Sequence, residues 1–243
     1  MLKKVNLEGK RALITGAGGG IGRAIALRLA EDGMKLALTG RDYSKLVRTA
    51  ALTGRPLDML VLPADLTKQK DVDDIFHILG GHFKGLDVLV NNAGMALNKP
   101  FEETTMDEYD RIMAINARAP FELCKRSLPL LRQSECPTIV NIGSVVAHKG
   151  YMQQSAYAAS KHALLGMTKA LAKEVAPEGI RVHMLSPGGV YTDMVKIARP
   201  DLSEEGMIAP EEVAELAAWL IEHRSNGVID EIQLHRVGKE PFL

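Results

Sequence analysis

Arg11–Thr15 (RALIT) is a short apolar, β-prone run that passes without a linker into Gly16-Ala17-Gly18-Gly19-Gly20-Ile21-Gly22. A helical pattern, Ile21–Glu31, follows at once. Few folds can use such a junction, because glycines that let the chain turn tightly belong at the exit of a buried strand. The rest of the chain repeats the alternation. Strand-like runs recur at Lys35–Thr39, Leu57–Leu62, Asp87–Asn91, Thr138–Ile142, Ile180–Leu185 and Val228–Leu234. Helical patterns fall between them at Ser44–Ala51, Gln69–Leu79, Met106–Arg132, Ser155–Ala176 and Pro210–His223. Apolar runs of strand length flanked by helices are what a parallel sheet covered on both faces requires. The expectation is α/β: a single doubly wound domain over residues 1–243, with about seven parallel strands flanked by helices.

Composition narrows the partners. Thirty basic residues balance thirty acidic ones, so no global field recruits nucleic acid or an anionic membrane. Cys124 and Cys136 make neither a CxxC pair nor a disulfide framework, which fits a reducing compartment. Met1–Lys10 is polar and charged, and no stretch approaches the ~20 apolar residues of a membrane helix. A cytoplasmic protein is expected. The seven histidines are scattered and no HExxH occurs, so no metal site is expected.

The glycine loop suits a dinucleotide: its backbone can approach a pyrophosphate, and the helix that follows offers free N–H groups and a positive dipole end. The absence of GxxxxGK[ST] argues against a P-loop NTPase. Further along, Tyr157 and Lys161 stand four residues apart in YAASK, about one helical turn, so they share a face. A neighbouring cation favours the phenolate and lowers a tyrosine pKa from its usual ~10. Ser144 lies upstream, in the segment after the fifth strand. Taken singly these residues have plain alternatives: an exposed Tyr/Lys pair, a serine ending a strand, and for Asn116 a polar residue in mid-helix. Asp65 could cap the helix that follows it. The least regular stretch, Pro187–Ala209, follows the sixth strand on the edge where open α/β sheets bind ligands, and is expected to act as a lid.

Thr15-Gly16-x-x-x-Gly20-x-Gly22, Asn91-Asn92-Ala93-Gly94, Asn116, Ser144, Tyr157-x-x-x-Lys161 and Pro187-Gly188 occur in that order. Together they resemble the short-chain dehydrogenase/reductase superfamily, whose fold is a Rossmann domain, from about Leu7 to about Leu234. The resemblance implies that Tyr157 exchanges a proton with a carbonyl or alcohol oxygen, and that Lys161 depresses its pKa and binds the nicotinamide ribose. Ser144 would polarise the substrate oxygen, and Asn116 would hold a water that links Lys161 to solvent. Cofactor contacts are implied at Thr15, Gly16, Gly18, Gly20, Ile21, Gly22, Asp65 and Leu66. Others fall at Asn91, Ala93, Gly94, Tyr157, Lys161, Pro187, Gly188, Val190 and Thr192. Substrate contacts are expected at Ser144, Val146, Tyr151, Tyr157, Gly189 and Met194, with His148 and Tyr191 nearby.

Where a member preferring NAD usually has an acid after the second strand, this chain has Gly40, followed by Arg41. A guanidinium suits a 2′-phosphate, so NADP(H) is expected rather than NAD. The second basic residue of many NADP-dependent relatives is missing, since its position is Gly19. The ending Asn226-Gly227-Val228-Ile229-Asp230-Glu231-Ile232 also departs from the usual pattern. The resemblance extends to members similar to 3-oxoacyl-carrier-protein reductases, so 3-oxoacyl thioesters are the first substrates to consider. Small hydroxy acids, polyols or sugars are the alternative. A homotetramer or homodimer through the long helices is implied. Two other readings fit less well. An extended-type epimerase would have a shorter glycine spacing and a longer C-terminal part. A non-catalytic NADP-binding redox sensor commonly loses the tyrosine or lysine kept here.

Overall fold

The computed structural model describes residues 3–198, 203–239 and 241. Seven strands form one parallel sheet: β1 (Arg11–Thr15), β2 (Lys35–Gly40), β3 (Met59–Pro63), β4 (Val88–Asn91), β5 (Thr138–Ile142), β6 (Arg181–Pro187) and β7 (Glu231–Leu234). Their order is β3-β2-β1-β4-β5-β6-β7. Winding therefore reverses between β1 and β4, and a doubly wound sheet opens a crevice at such a reversal. Helices α1 (Gly20–Glu31), α2 (Tyr43–Leu52), α3 (Gln69–His82), α4 (Met106–Met113), α5 (Ala119–Leu131), α6 (Ser155–Val175), α7 (Asp193–Ala198) and α8 (Pro210–Glu222) cover it.

Side-chain alternation along the strands assigns the two layers. Ile14, Val90 and Val140 face the layer containing Ile25 and Leu29 of α1 and Val213 and Ile221 of α8. Leu13, Leu89 and Ile139 face the opposite layer, with Ile75 and Leu79 of α3, Leu123 of α5 and Val175 of α6. Every one of these strand residues is fully buried, as the continuous apolar runs require.

Several strand boundaries differ from expectation: β2 ends at Gly40, β3 at Pro63, and β6 runs from Arg181 to Pro187. β3 starts at Met59 because Pro56–Asp58 forms a 3₁₀ turn with Pro56 at its start and Leu57 fully exposed. Asp87 stays outside β4, its carboxylate accepting the Arg11 N–H at 2.8 Å. β7 begins only at Glu231, and Val228 and Ile229 lie beyond the ladder, part exposed.

The helix expected over Met106–Arg132 is interrupted. Ala114–Arg118 forms a π turn, closed by the Ala119 N–H donating to the Ala114 carbonyl. Pro120 explains it: a proline has no N–H for the carbonyl four residues back, and its ring collides with that carbonyl in an α-helix. That carbonyl belongs to Asn116. Wider coiling relieves the clash and swings Asn116 inward, where it is 1% exposed. Among the described residues, no helix is long and apolar enough to cross a membrane.

Candidate active site

The C-terminal ends of β1, β4, β5 and β6 meet along one continuous cleft, made of connected cavities of about 270 and about 750 Å³. Gly16, Gly18, Gly19, Lys45, Ala93, Gly94 and Met95 line both. The larger cavity runs toward β2 and β3, the smaller toward β5 and β6.

The glycine loop is built for close approach. Gly16 has φ +66° and Gly20 φ +50°, the left-handed region that favours glycine. A Cβ on Gly22 would stand 2.4 Å from the Gly16 carbonyl oxygen, so only a hydrogen fits. Thr15 fastens the loop to the turn after β4: its Oγ1 accepts N–H bonds from Asn92 and Ala93, both 2.9 Å, and donates to the Val90 carbonyl at 3.3 Å. Asn92 Nδ2 returns a bond to the Thr15 carbonyl at 2.9 Å. No side chain caps α1 at Gly19, which leaves its first N–H groups free at the cleft. A backbone cradle with free donors and no room for side chains fits a pyrophosphate.

At the β5 and β6 end, Tyr157 and Lys161 come from the first turns of α6. Lys161 is 6% exposed; Nζ donates to the Ile142 carbonyl at 2.9 Å and lies 5.9 Å from the centre of the Tyr157 ring. Burial pushes its ammonium down to about 8. The Tyr157 phenol is also pushed up from its ordinary value by burial, which outweighs a hydrogen bond with Ser144. The spacing predicts that Lys161 lowers the phenol; here desolvation of both groups dominates instead. Ser144, 7% exposed, stands two residues beyond the end of β5 and caps the 3₁₀ turn Val145–Ala147, its Oγ accepting the Val146 N–H at 3.2 Å. Asn116 reaches the same region from the π turn. Its Oδ1 accepts the Met95 N–H at 2.9 Å, while Nδ2 donates to the Met95 carbonyl at 2.8 Å and to Ser160 Oγ at 3.0 Å. Ser160 in turn donates to the Tyr157 carbonyl at 2.7 Å. Asn116 therefore links the wall of the cleft to the backbone of the tyrosine's helix.

The larger cavity is lined by Gly40, Arg41, Asp65 and Leu66, and also by Lys45 and Arg111. Asp65 Oδ1 accepts from Thr67 Oγ1 at 2.7 Å and from the Thr67 N–H at 3.1 Å, which holds its carboxyl below the usual range. It closes a turn ahead of α3; the residue at the helix's own cap is Lys68.

Of the residues expected to contact cofactor, Gly16, Gly18, Gly20, Ile21, Arg41, Asp65, Leu66, Ala93, Gly94, Tyr157, Lys161, Pro187, Gly188, Val190 and Thr192 line the cleft. Thr15 and Gly22 shape it from behind. Asn91, expected to make its contact through the backbone, is not among the lining residues, and its buried side chain serves the sheet, Nδ2 donating to Asn141 Oδ1 at 2.8 Å. Of the expected substrate contacts, Ser144, Tyr157 and Met194 line the smaller cavity. Val146 is buried in the turn behind Ser144, and Tyr151 lies half exposed outside the lining. Gly189 packs against Met207 and Arg236. His148 is engaged elsewhere, its Nε2 2.6 Å from Glu231 Oε1. The segment after β6 folds back on its own start, the Ile208 N–H donating to the Gly189 carbonyl at 3.0 Å and the Tyr191 N–H to the Ile208 carbonyl at 3.0 Å. Part of the expected lid, residues 199–202, lies outside the described residues. Sequence reasoning missed Lys45, Met95, Asp193 and Arg111 as cleft residues. Among the described residues no cluster suits a metal ion.

Residues 10–203 match the short chain dehydrogenase family. An uncharacterized oxidoreductase of Staphylococcus aureus (strain MRSA252) is 31% identical over 231 residues, covering 95% of this chain and 99% of its own. The 3-ketoacyl-(acyl-carrier-protein) reductase of Brucella melitensis, solved with NADH, superposes with a TM-score of 0.80 at 34% identity, covering 88% of this chain and 91% of its own. A Shigella flexneri chain assigned to the short chain dehydrogenases and complexed with NADP gives a TM-score of 0.85 at 29% identity, covering 94% of this chain and 98% of its own.

Proposed function

The chain belongs to the short chain dehydrogenase family of nicotinamide-dependent oxidoreductases, and from that premise we propose that it is an NADP(H)-dependent carbonyl reductase. Tyr157 is its general acid in reduction and its base in alcohol oxidation. The observation that carries this reading is the convergence of Ser144, Tyr157 and Lys161 on one cavity at the β5 and β6 strand ends, beside the glycine cradle.

Bound in the cleft, the nicotinamide supplies or accepts the hydride. The protein's own groups manage charge and protons. Because burial raises the Tyr157 phenol, it holds its proton at neutral pH and can deliver it as negative charge grows on the carbonyl oxygen. Ser144 offers a second donor to that oxygen, already placed where charge develops. Lys161 spends one N–H on Ile142, leaving others for ribose hydroxyls and for stabilising the phenolate left after transfer. Reduction is expected to slow above about pH 8, as Lys161 loses its charge. A rate of reduction unchanged from pH 7 to 10 would remove that role from Lys161.

The 2′-phosphate preference rests on Arg41, which lines the larger cavity without an acid at the Gly40 position. The neighbours leave the choice open, one holding NADH and another NADP. Met95, Val190, Met194 and Val195 make the substrate end apolar. That favours an acyl chain over a polyol or sugar, and 3-oxoacyl thioesters are the first substrates to try. Exposed apolar residues on the outer helices, Phe121 of α5 (58%) and Trp219 of α8 (38%), support a homodimer or homotetramer, which light scattering after gel filtration would reveal.

Tyr157→Phe is the decisive test. Turnover should fall at least ~10²-fold while NADPH still binds. Near-normal turnover would sink the acid assignment. Wild-type protein that binds NADPH but reduces no carbonyl in a broad panel would instead support a redox sensor.

A further inference from the structure

The geometry points to Lys45 as a second ligand for a phosphate on the adenosine ribose, acting with Arg41. This rests on the NADP(H) reading above and adds a residue to it. A ribose phosphate carries nearly two negative charges near neutral pH, more than one guanidinium neutralises. A second cation should therefore stand within reach, and the glycine loop itself supplies none. Gly19 occupies the place in the loop where a base could sit, and a Cβ there would meet nothing within 4 Å.

α2 fills that role from outside the loop. Asp42 caps α2 and accepts the Lys45 N–H at 3.1 Å, which fixes Lys45 on the first turn, facing the loop. The Lys45 Cβ then sits 3.1 Å from where a Cβ on Gly18 would lie. Lys45 and Arg41 line the same larger cavity, and Arg41 has no ion-pair partner within 4.0 Å among the described residues. Nearby acids are already engaged: Asp42 accepts from the backbone of α2, and Asp65 accepts from Thr67. Lys45 has one competing partner, Asp193 of α7, at 3.9 Å across the cleft mouth with both side chains more than half exposed. A pair so long and so hydrated is readily given up to a dianion.

The contact with Asp193 also defines the rival role, a strap between α2 and α7 that would act on any dinucleotide alike. Titration calorimetry with NADPH and NADH separates the two. Wild-type protein should bind NADPH more tightly than NADH. Lys45→Gln should weaken NADPH at least ~10-fold and NADH less than ~2-fold, and should flatten the salt dependence of NADPH binding. Equal loss for both dinucleotides, or no loss for NADPH, overturns the role of Lys45 while leaving the NADP(H) reading intact. A wild-type preference for NADH overturns that reading, and the proposal with it.

Discussion

Lys161 is costly to keep. Its folded value of about 8 lies below the 10.5 of an unburied lysine, so between those values the unfolded chain holds a proton that the folded chain has released. Stability must therefore rise with pH across that window, and the full cost of burying the cation is borne below pH 8. Lys161→Met is expected to abolish turnover yet stabilise the protein by on the order of 1–3 kcal/mol at pH 7, with the gain shrinking by pH 10.5. Urea unfolding at both pH values checks it; an equal gain at both would mean that the ammonium is not what burial penalises. The pairing of Tyr157 with Lys161 was legible from four-residue spacing alone. The direction of the tyrosine's shift was not, because spacing reports who is near and not how dry the place is. Lys45 was invisible for a related reason: the Asp42 cap fixes it on the first turn of α2, but that this turn lies against the glycine loop follows from tertiary packing, which no local pattern encodes. Gly19→Arg carries that argument to the loop itself. The backbone there is extended and the space open, so the substitution should fold normally and tighten NADPH severalfold, with NADH little changed. Calorimetry reads both.

The elements were read from apolar runs, and the runs named every strand because a sheet covered on both faces leaves little room for ambiguity. Boundaries slipped where a polar group or a proline competed, as at Pro56 and Asp87. The largest miss, the π turn, had a signal in plain view: Pro120 stands four residues after Asn116 inside a helical pattern. Hydrophobic periodicity tolerates one extra residue, whereas the proline's missing N–H does not tolerate a regular α-helix. The turn is also what brings Asn116 to Met95. Asn116→Ala would leave the Met95 N–H and carbonyl unpartnered at a partly buried wall and remove the bond to Ser160 Oγ of α6. A loss of roughly 2–4 kcal/mol is expected from three broken bonds. Because the same wall lines the substrate end, KM should rise along with the loss of stability. A variant with normal KM and normal stability would show that the tether is idle.

Across the whole molecule the sheet divides its labour between its two edges. The C-terminal edge carries the glycine cradle, the tyrosine and the cations. The N-terminal edge is locked by Asp87. Its Oδ2 accepts the Arg11 N–H and Nε, both at 2.8 Å, and its Oδ1 accepts Arg11 Nη2 at 3.2 Å and Ser134 Oγ at 2.6 Å. Its carbonyl takes the Thr138 N–H at 2.9 Å, so one residue joins the starts of β1, β4 and β5. Burial alone would raise this carboxyl, but the bonds from Arg11 and Ser134 outweigh it and hold the pKa below the ordinary value. With the folded value depressed, the contribution is present above the unfolded pKa and is lost as pH falls through the folded one. Asp87→Asn should cost about 3–5 kcal/mol by leaving Arg11 without its counter-charge. It should also remove part of the acid sensitivity, while the Kd for NADPH stays within about twofold below the melting temperature, because Asp87 sits at the far end of the strands. Gly22→Ala is expected to act at the site itself. Its methyl would press on the Gly16 carbonyl, distort the cradle and weaken NADPH at least ~10-fold, with a fall in Tm from the same backbone clash. Thermal unfolding and calorimetry on the two variants give the comparison. If Asp87→Asn lowered affinity as much as Gly22→Ala does, the two edges would be coupled through the strands, and stability could not be varied independently of the site.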